Sequence, residues 1–181
     1  MNNTAQVDSV VSGVATTTAM AVTESAIQDA LRNAMTDVLE SMFFMECGSA
    51  EWPGGESGKE AWEGSVEVEV TFEGDRPGRF SLWLAAETAT AIAADFLGED
   101  AAELNEVQRG DVALEMANMI CGSALSRLGG RARFRLGSPR IVPGCSDCAE
   151  RTRQTVETGH GRLMAAIQLE GWKCQAGEFG S

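Results

Sequence analysis

In the stretch GDVALEMANMICGSALSRLGG, residues 110–130, Asp111, Glu115 and Asn118 stand as D-x-x-x-E-x-x-N, with Gly122 one turn further on. A carboxylate can hold a cationic partner. A carboxamide presents one acceptor oxygen and two N–H donors without charge, so Asn118 can orient a water molecule but cannot act as a base. At about 100° per residue, Asp111, Glu115, Asn118 and Gly122 share one narrow sector of a helix. Ala113, Met116, Ala117, Ile120 and Ala124 occupy the opposite side. Asparagine and glycine cost roughly 0.7 and 1 kcal/mol relative to alanine inside a helix. The period leaves two readings open. The polar groups face solvent on a mostly buried helix, or the seam they form, bordered by Leu114, Met119 and Cys121, is a contact surface. A missing side chain at Gly122 lets another backbone approach, which favours contact; close packing within the domain is the alternative.

Other elements must hold that helix in place. From Thr23, the residues Ile27, Leu31, Ala34, Met35, Val38, Leu39 and Met42 recur at helical spacing, with Gly48 just beyond the expected end. SVEVEVTF alternates Val66, Val68, Val70 and Phe72 with Glu67, Glu69 and Thr71, the pattern of a half-buried strand. EGDRPG supplies turn residues, and RFSLWLA sets Phe80, Leu82 and Leu84 against Ser81 and Trp83, which completes a hairpin. ETATAIAADFLG has the composition of a short helix with a terminal glycine. ARFRLGSPRIV and RQTVETGHGRLMAAIQLEG read as further strands, the latter turning at Thr158–Gly161. The order predicts an α+β fold, an antiparallel β-sheet with two long helices and a shorter helix packed on it. Residues 1–22 lack a convincing period and are expected to be a flexible N-terminal tail; 23–171 form the domain and 172–181 a C-terminal tail.

The 181 residues suffice for one core without metal or disulfide staples. Fourteen Lys and Arg against 27 Asp and Glu give a net charge of −13, which opposes binding to a phosphate backbone, so no nucleic-acid partner is expected. Five cysteines, an odd number, with Cys121 inside an apolar helix where it reads as a small buried hydrophobe, suit a reducing compartment, and a cytoplasmic location is expected. The first residues carry no basic group to open a signal peptide, and no apolar run reaches the roughly 18 residues of a membrane span.

The motif Asp111, Glu115, Asn118 with a proline about twenty residues on resembles the signature of the CheC/CheX/FliY family of chemotaxis phosphatases. In that signature an acidic residue or serine precedes Glu, Asn and a downstream proline. Here Pro139 lies a little short of the family's usual interval and Pro143 a little beyond it. The layout over roughly residues 24–171 is similar to CheX. In DVLESMFFM the place of a second motif asparagine is taken by Phe43, so the resemblance is to the single-site CheX and not to the duplicated CheC arrangement. The resemblance implies a phosphatase acting on the aspartyl phosphate of a CheY-type response-regulator receiver. Asn118 would position the attacking water, and Glu115 would anchor the receiver's lysine. Asp111 and Gly122 would lie at the margin of the partner contact. It also implies that this chain binds no cofactor, Mg being held by the receiver, and that the protein is a homodimer. The alternative is a non-catalytic CheX-like dimerisation or receiver-binding module. Receivers are acidic around their own pocket, so affinity would have to come from local pairing and apolar borders rather than from long-range attraction.

Three other patterns compete. PGGESGKE, residues 53–60, nearly matches a phosphate-binding loop, but Pro53 replaces its first glycine and Glu60 its magnesium-binding hydroxyl, which excludes it. Cys145 and Cys148 form a single C-x-x-C, with His160 and Cys174 as the remaining conceivable ligands; unrelated loop thiols are expected, and no metal site. Arg131, Arg133 and Arg135 alternate with apolar residues and predict one charged strand face, either a solvated edge or a docking patch for an acidic partner.

Overall fold

The computed structural model describes residues 22–50, 65–129, 132–142 and 151–170. Helix α1 spans Glu24–Met42, and the Thr23 side-chain oxygen caps it by accepting the Ala26 N–H at 3.2 Å. Its buried residues are Ile27, Ala30, Leu31, Ala34, Met35, Val38 and Leu39, the helical pattern with Ala30 added, whereas Met42, the last residue of that pattern, is exposed at the helix end; Val22 packs against the same core just ahead of the cap. Gly48 does not stop this helix. It lies in a short strand, β1 (Cys47–Ala50), which pairs with a distant partner and is too short to show a period of its own.

Strands β2 (Val66–Gly74) and β3 (Gly78–Leu84) form the expected hairpin, in register from Val66 opposite Leu84 to Phe72 opposite Gly78. Helix α2 (Ala86–Leu97) ends at Gly98, whose φ of 68° is the left-handed cap that glycine adopts at low cost. Helix α3 (Glu106–Gly129) carries the motif. Its start is fixed by a reciprocal cap: the Asn105 side chain accepts the Gln108 N–H and the Gln108 side chain accepts the Asn105 N–H, each at 3.0 Å. Strands β4 (Phe134–Leu136) and β5 (Arg140–Val142) follow, then the hairpin of β6 (Thr152–Thr158) and β7 (Gly161–Leu169).

All pairings are antiparallel, in the order β1-β6-β7-β3-β2-β4, with β5 further along β2. Helices α1 and α3 pack against each other and against one sheet face, where Val68, Val70, Phe72, Phe80, Leu82, Leu163, Ala165 and Ile167 meet them in the main core. This is the α+β arrangement expected from the sequence.

The other face of the sheet departs from expectation. Glu67, Glu69, Ser81 and Trp83 should point to water in a half-buried hairpin, yet they are 1 %, 3 %, 0 % and 0 % exposed. Period-two alternation says which side chains share a face, not whether that face is covered. A buried carboxylate needs a cation and hydrogen bonds to offset its desolvation. Glu69 accepts from Arg140 at 2.5 Å and pairs with Arg79 at 3.0 Å. Glu67 stands 3.7 Å from Arg151, whose guanidinium donates to the Ser81 hydroxyl at 2.6 Å and lies 5.7 Å from the Trp83 ring centre.

Candidate active site

Helix α3 turns Ala113, Met116, Ala117, Ile120 and Ala124 into the core, so the opposite sector faces outward. On that sector Asp111 and Glu115 are exposed, and Asn118 and Gly122 are half-buried. Among the described residues, none of Asp111, Glu115 or Asn118 makes a side-chain hydrogen bond or an ion pair. The two groups with chemistry to offer, a carboxylate and a carboxamide one turn apart, are therefore accessible and unsaturated. A side chain that merely capped or stapled the domain would have a partner within it.

The borders differ from the sequence expectation at one place. Leu114 and Met119 are half-buried and flank the seam, but Cys121 is fully buried and does not. It lies far enough round the helix from Glu115 to enter the core, and burial pushes its thiol up to about 12. The structure adds Val107, 70 % exposed and four residues before Asp111, which extends the apolar border by a turn. Its i, i+4 relation to Asp111 was legible, but a lone valine near a helix start carries no distinguishing signal.

Two neighbours hold the helix. At its C-terminal end Arg127 bridges to Asp37 of α1 and to Ser123. Along its side run β4 and β5: a Cβ placed on Gly122 would lie 3.9 Å from Leu136, and one on Gly110 would lie 3.1 Å from Ile141. At Gly122 this is ordinary contact, so packing inside the domain does not require glycine there.

The arginine row does not join the seam. Phe134 and Leu136 turn toward α3, while Arg135 lies opposite Glu73 across the strands and is exposed, as is Arg133. Alternation puts both arginines on the sheet face away from the helix, and Arg131 lies outside the described residues. The same holds for residues 53–60, Pro143, Cys145, Cys148 and Cys174. His160 is engaged with Asp95, Nε2 to Oδ2 at 2.6 Å, and among the described residues no group of three or more His, Cys, Asp or Glu could hold a metal ion. No described helix is long and apolar enough to cross a membrane.

Comparison with known proteins decides the family. The family profile described as "Chemotaxis phosphatase CheX" matches residues 66–155, a span that contains the whole motif helix. The chain belongs to the CheX family. Its fold is that of the crystal structures of CheX from Vibrio vulnificus (TM-score 0.63, 21 % identity, 82 % of this chain and 99 % of that one) and from Desulfovibrio desulfuricans (0.61, 20 %, 80 % and 99 %). It is also similar, a little less closely, to the CheX of a CheX–CheY–BeF3–Mg complex from Borrelia burgdorferi (0.59, 18 %, 78 % and 96 %). No relative among curated protein sequences matches this CheX-like chain.

Proposed function

We propose that the protein is a phosphatase that hydrolyses the aspartyl phosphate of a CheY-type receiver domain docked on the α3 seam. The observation that carries the reading is the outward projection of Glu115 and Asn118, both without a partner among the described residues, from a helix of a family described as chemotaxis phosphatase. The CheX of the Borrelia complex, a fold neighbour, is seen together with CheY and Mg, which supports a receiver as the partner.

The chemistry needs little from this chain. The oxygen of a water molecule attacks phosphorus, the bond between phosphorus and the aspartate oxygen breaks, and the receiver recovers its carboxylate while inorganic phosphate takes up the water's proton. Holding the water in line is the main contribution an enzyme can make to such a loose transition state. The Asn118 carboxamide oxygen accepts one O–H of that water, and its neutrality avoids repulsion with the phosphoryl oxygens. Glu115 accepts from the ammonium of the receiver's lysine, which fixes the helix over the pocket. Mg, where it acts, is held by the receiver. Leu114, Met119 and Val107 supply apolar contact around these groups.

The test is the decay of a phosphorylated receiver with and without the protein. Faster decay supports the phosphatase. Equal decay at concentrations where a complex forms selects the second reading, a receiver-binding or dimerisation module, and a light-scattering mass shows whether the protein is a homodimer.

A further inference from the structure

Strands β4 and β5 lie end to end along β2, with Phe72 opposite Leu136 and Glu69 opposite Arg140. Between these pairs Val70 and Thr71 of β2 face Gly137, Ser138 and Pro139, one residue more than a regular ladder holds. Parity requires the extra residue. Leu136 and Ile141 both approach α3, against Gly122 and Gly110, yet residues five apart on a regular strand point to opposite faces. This is a β-bulge, a device that re-aims side chains at sheet edges and beside active sites.

The bulge is held firmly. The Gly137 N–H donates to the Thr71 carbonyl at 2.7 Å, and a Cβ on Gly137 would stand 2.7 Å from the Thr71 hydroxyl oxygen, so a larger residue there would force the Thr71 side chain aside. Pro139 fixes its own φ and restricts Ser138 before it to extended backbone. The twelve steps from Gly110 to Gly122 rise about 18 Å along the helix, and the five steps from Leu136 to Ile141 advance about 16 Å along the strands, so the two run side by side. The bulge, midway along one, comes level with the Glu115–Asn118 turn, midway along the other. Ser138 is exposed there and makes no hydrogen bond with any described residue.

We propose that Ser138 is a further partner-contacting residue of the seam, held beside the Glu115–Asn118 turn by the Gly137–Pro139 bulge and donating its hydroxyl hydrogen to an anionic oxygen of the docked receiver. The proposal rests on the receiver reading above. An uncharged donor suits a site where a strongly acidic chain must meet an acidic pocket. Because Ser138 touches the partner and does not orient the water, its effect falls on KM.

The experiment measures kcat and KM of the full chain on a phosphorylated receiver for wild type, Ser138→Ala, Ser138→Thr, Ser138→Asp and Asn118→Ala. Loss of a hydrogen bond to a charged group corresponds to about a tenfold rise in KM for Ser138→Ala, with kcat unchanged. Ser138→Thr restores wild-type KM, and Ser138→Asp raises it beyond the alanine variant by repulsion. Wild-type KM in both the Ala and Asp variants, with Asn118→Ala inactive, overturns the role of Ser138 and leaves the phosphatase intact. If wild type itself does not accelerate decay, the phosphatase reading has failed, and affinity for the phosphorylated receiver decides Ser138: weaker binding by Ser138→Asp supports it, and equal binding overturns it.

Discussion

Replacing Gly122 by alanine separates two reasons for a glycine in the middle of a long helix. The position lies on α3 away from the core-facing side, half-buried, and the added methyl would meet nothing closer than Leu136 Cδ2 at 3.9 Å. The domain therefore has room for it. Alanine is the better helix former by about 1 kcal/mol. Little of that gain is offset by packing, so Gly122→Ala should stabilise the isolated protein by roughly 0.5–1 kcal/mol, a rise in Tm of about 1–4 °C for a chain of this size. If a partner's backbone approaches the seam at Gly122, the same methyl stands in its way. Receiver affinity should then fall several-fold while stability rises. Thermal unfolding followed by circular dichroism, together with a receiver titration, reads both. A more stable variant with wild-type affinity would show that the glycine does not serve the partner. A less stable one would show that the space beside Leu136 is misjudged.

Other perturbations follow from the same geometry. Glu115→Ala removes an exposed side chain with no partner among the described residues, so Tm should stay within a degree or two while both receiver affinity and dephosphorylation fall; unchanged affinity would exclude the proposed lysine contact. Burial holds the Cys121 thiol near 12 and burial with Glu40 holds Cys47 near 11, against 9.0 for a free thiol. At pH 8 both should resist iodoacetamide in the native protein and react after unfolding, as peptide mapping by mass spectrometry would show. The unfolded thiols lose their protons near pH 9 while the folded ones keep theirs, so stability should decline as pH rises from about 9 through 11 to 12; a flat alkaline profile would contradict this.

What could be read from the sequence divides along physical lines. Long periodic elements were legible: the apolar set of α1 from Ile27 to Leu39, the glycine after α2, the alternation of β2 and β3 and the seam on α3 each stand where their spacing placed them, because period and caps are local properties. Strand β1 was not, since four residues cannot show a period and its partner β6 is over a hundred residues away. The burial of Glu67 and Glu69 was hidden for a related reason. The arginines that pair with them come from elsewhere in the chain, and alternation alone made them look solvated. Cys121 carried two readings, a small buried hydrophobe and a border of the seam, and only the first holds, because a side chain at the edge of a helical sector is assigned by a few tens of degrees. In ARFRLGSPRIV a continuous strand was expected where the structure has two short strands and a bulge; only the long-range register with β2 reveals the extra residue.

The central claim is that Asn118 positions water on a docked receiver, and the most direct test is one titration of phosphorylated receiver with wild type and with Asn118→Ala, reading complex formation and phosphate release together. The expected result is equal affinity with release at least about 100-fold slower in the variant, the scale of losing a positioned reactant. Phosphate release at the wild-type rate by Asn118→Ala, with the receiver bound, would contradict it.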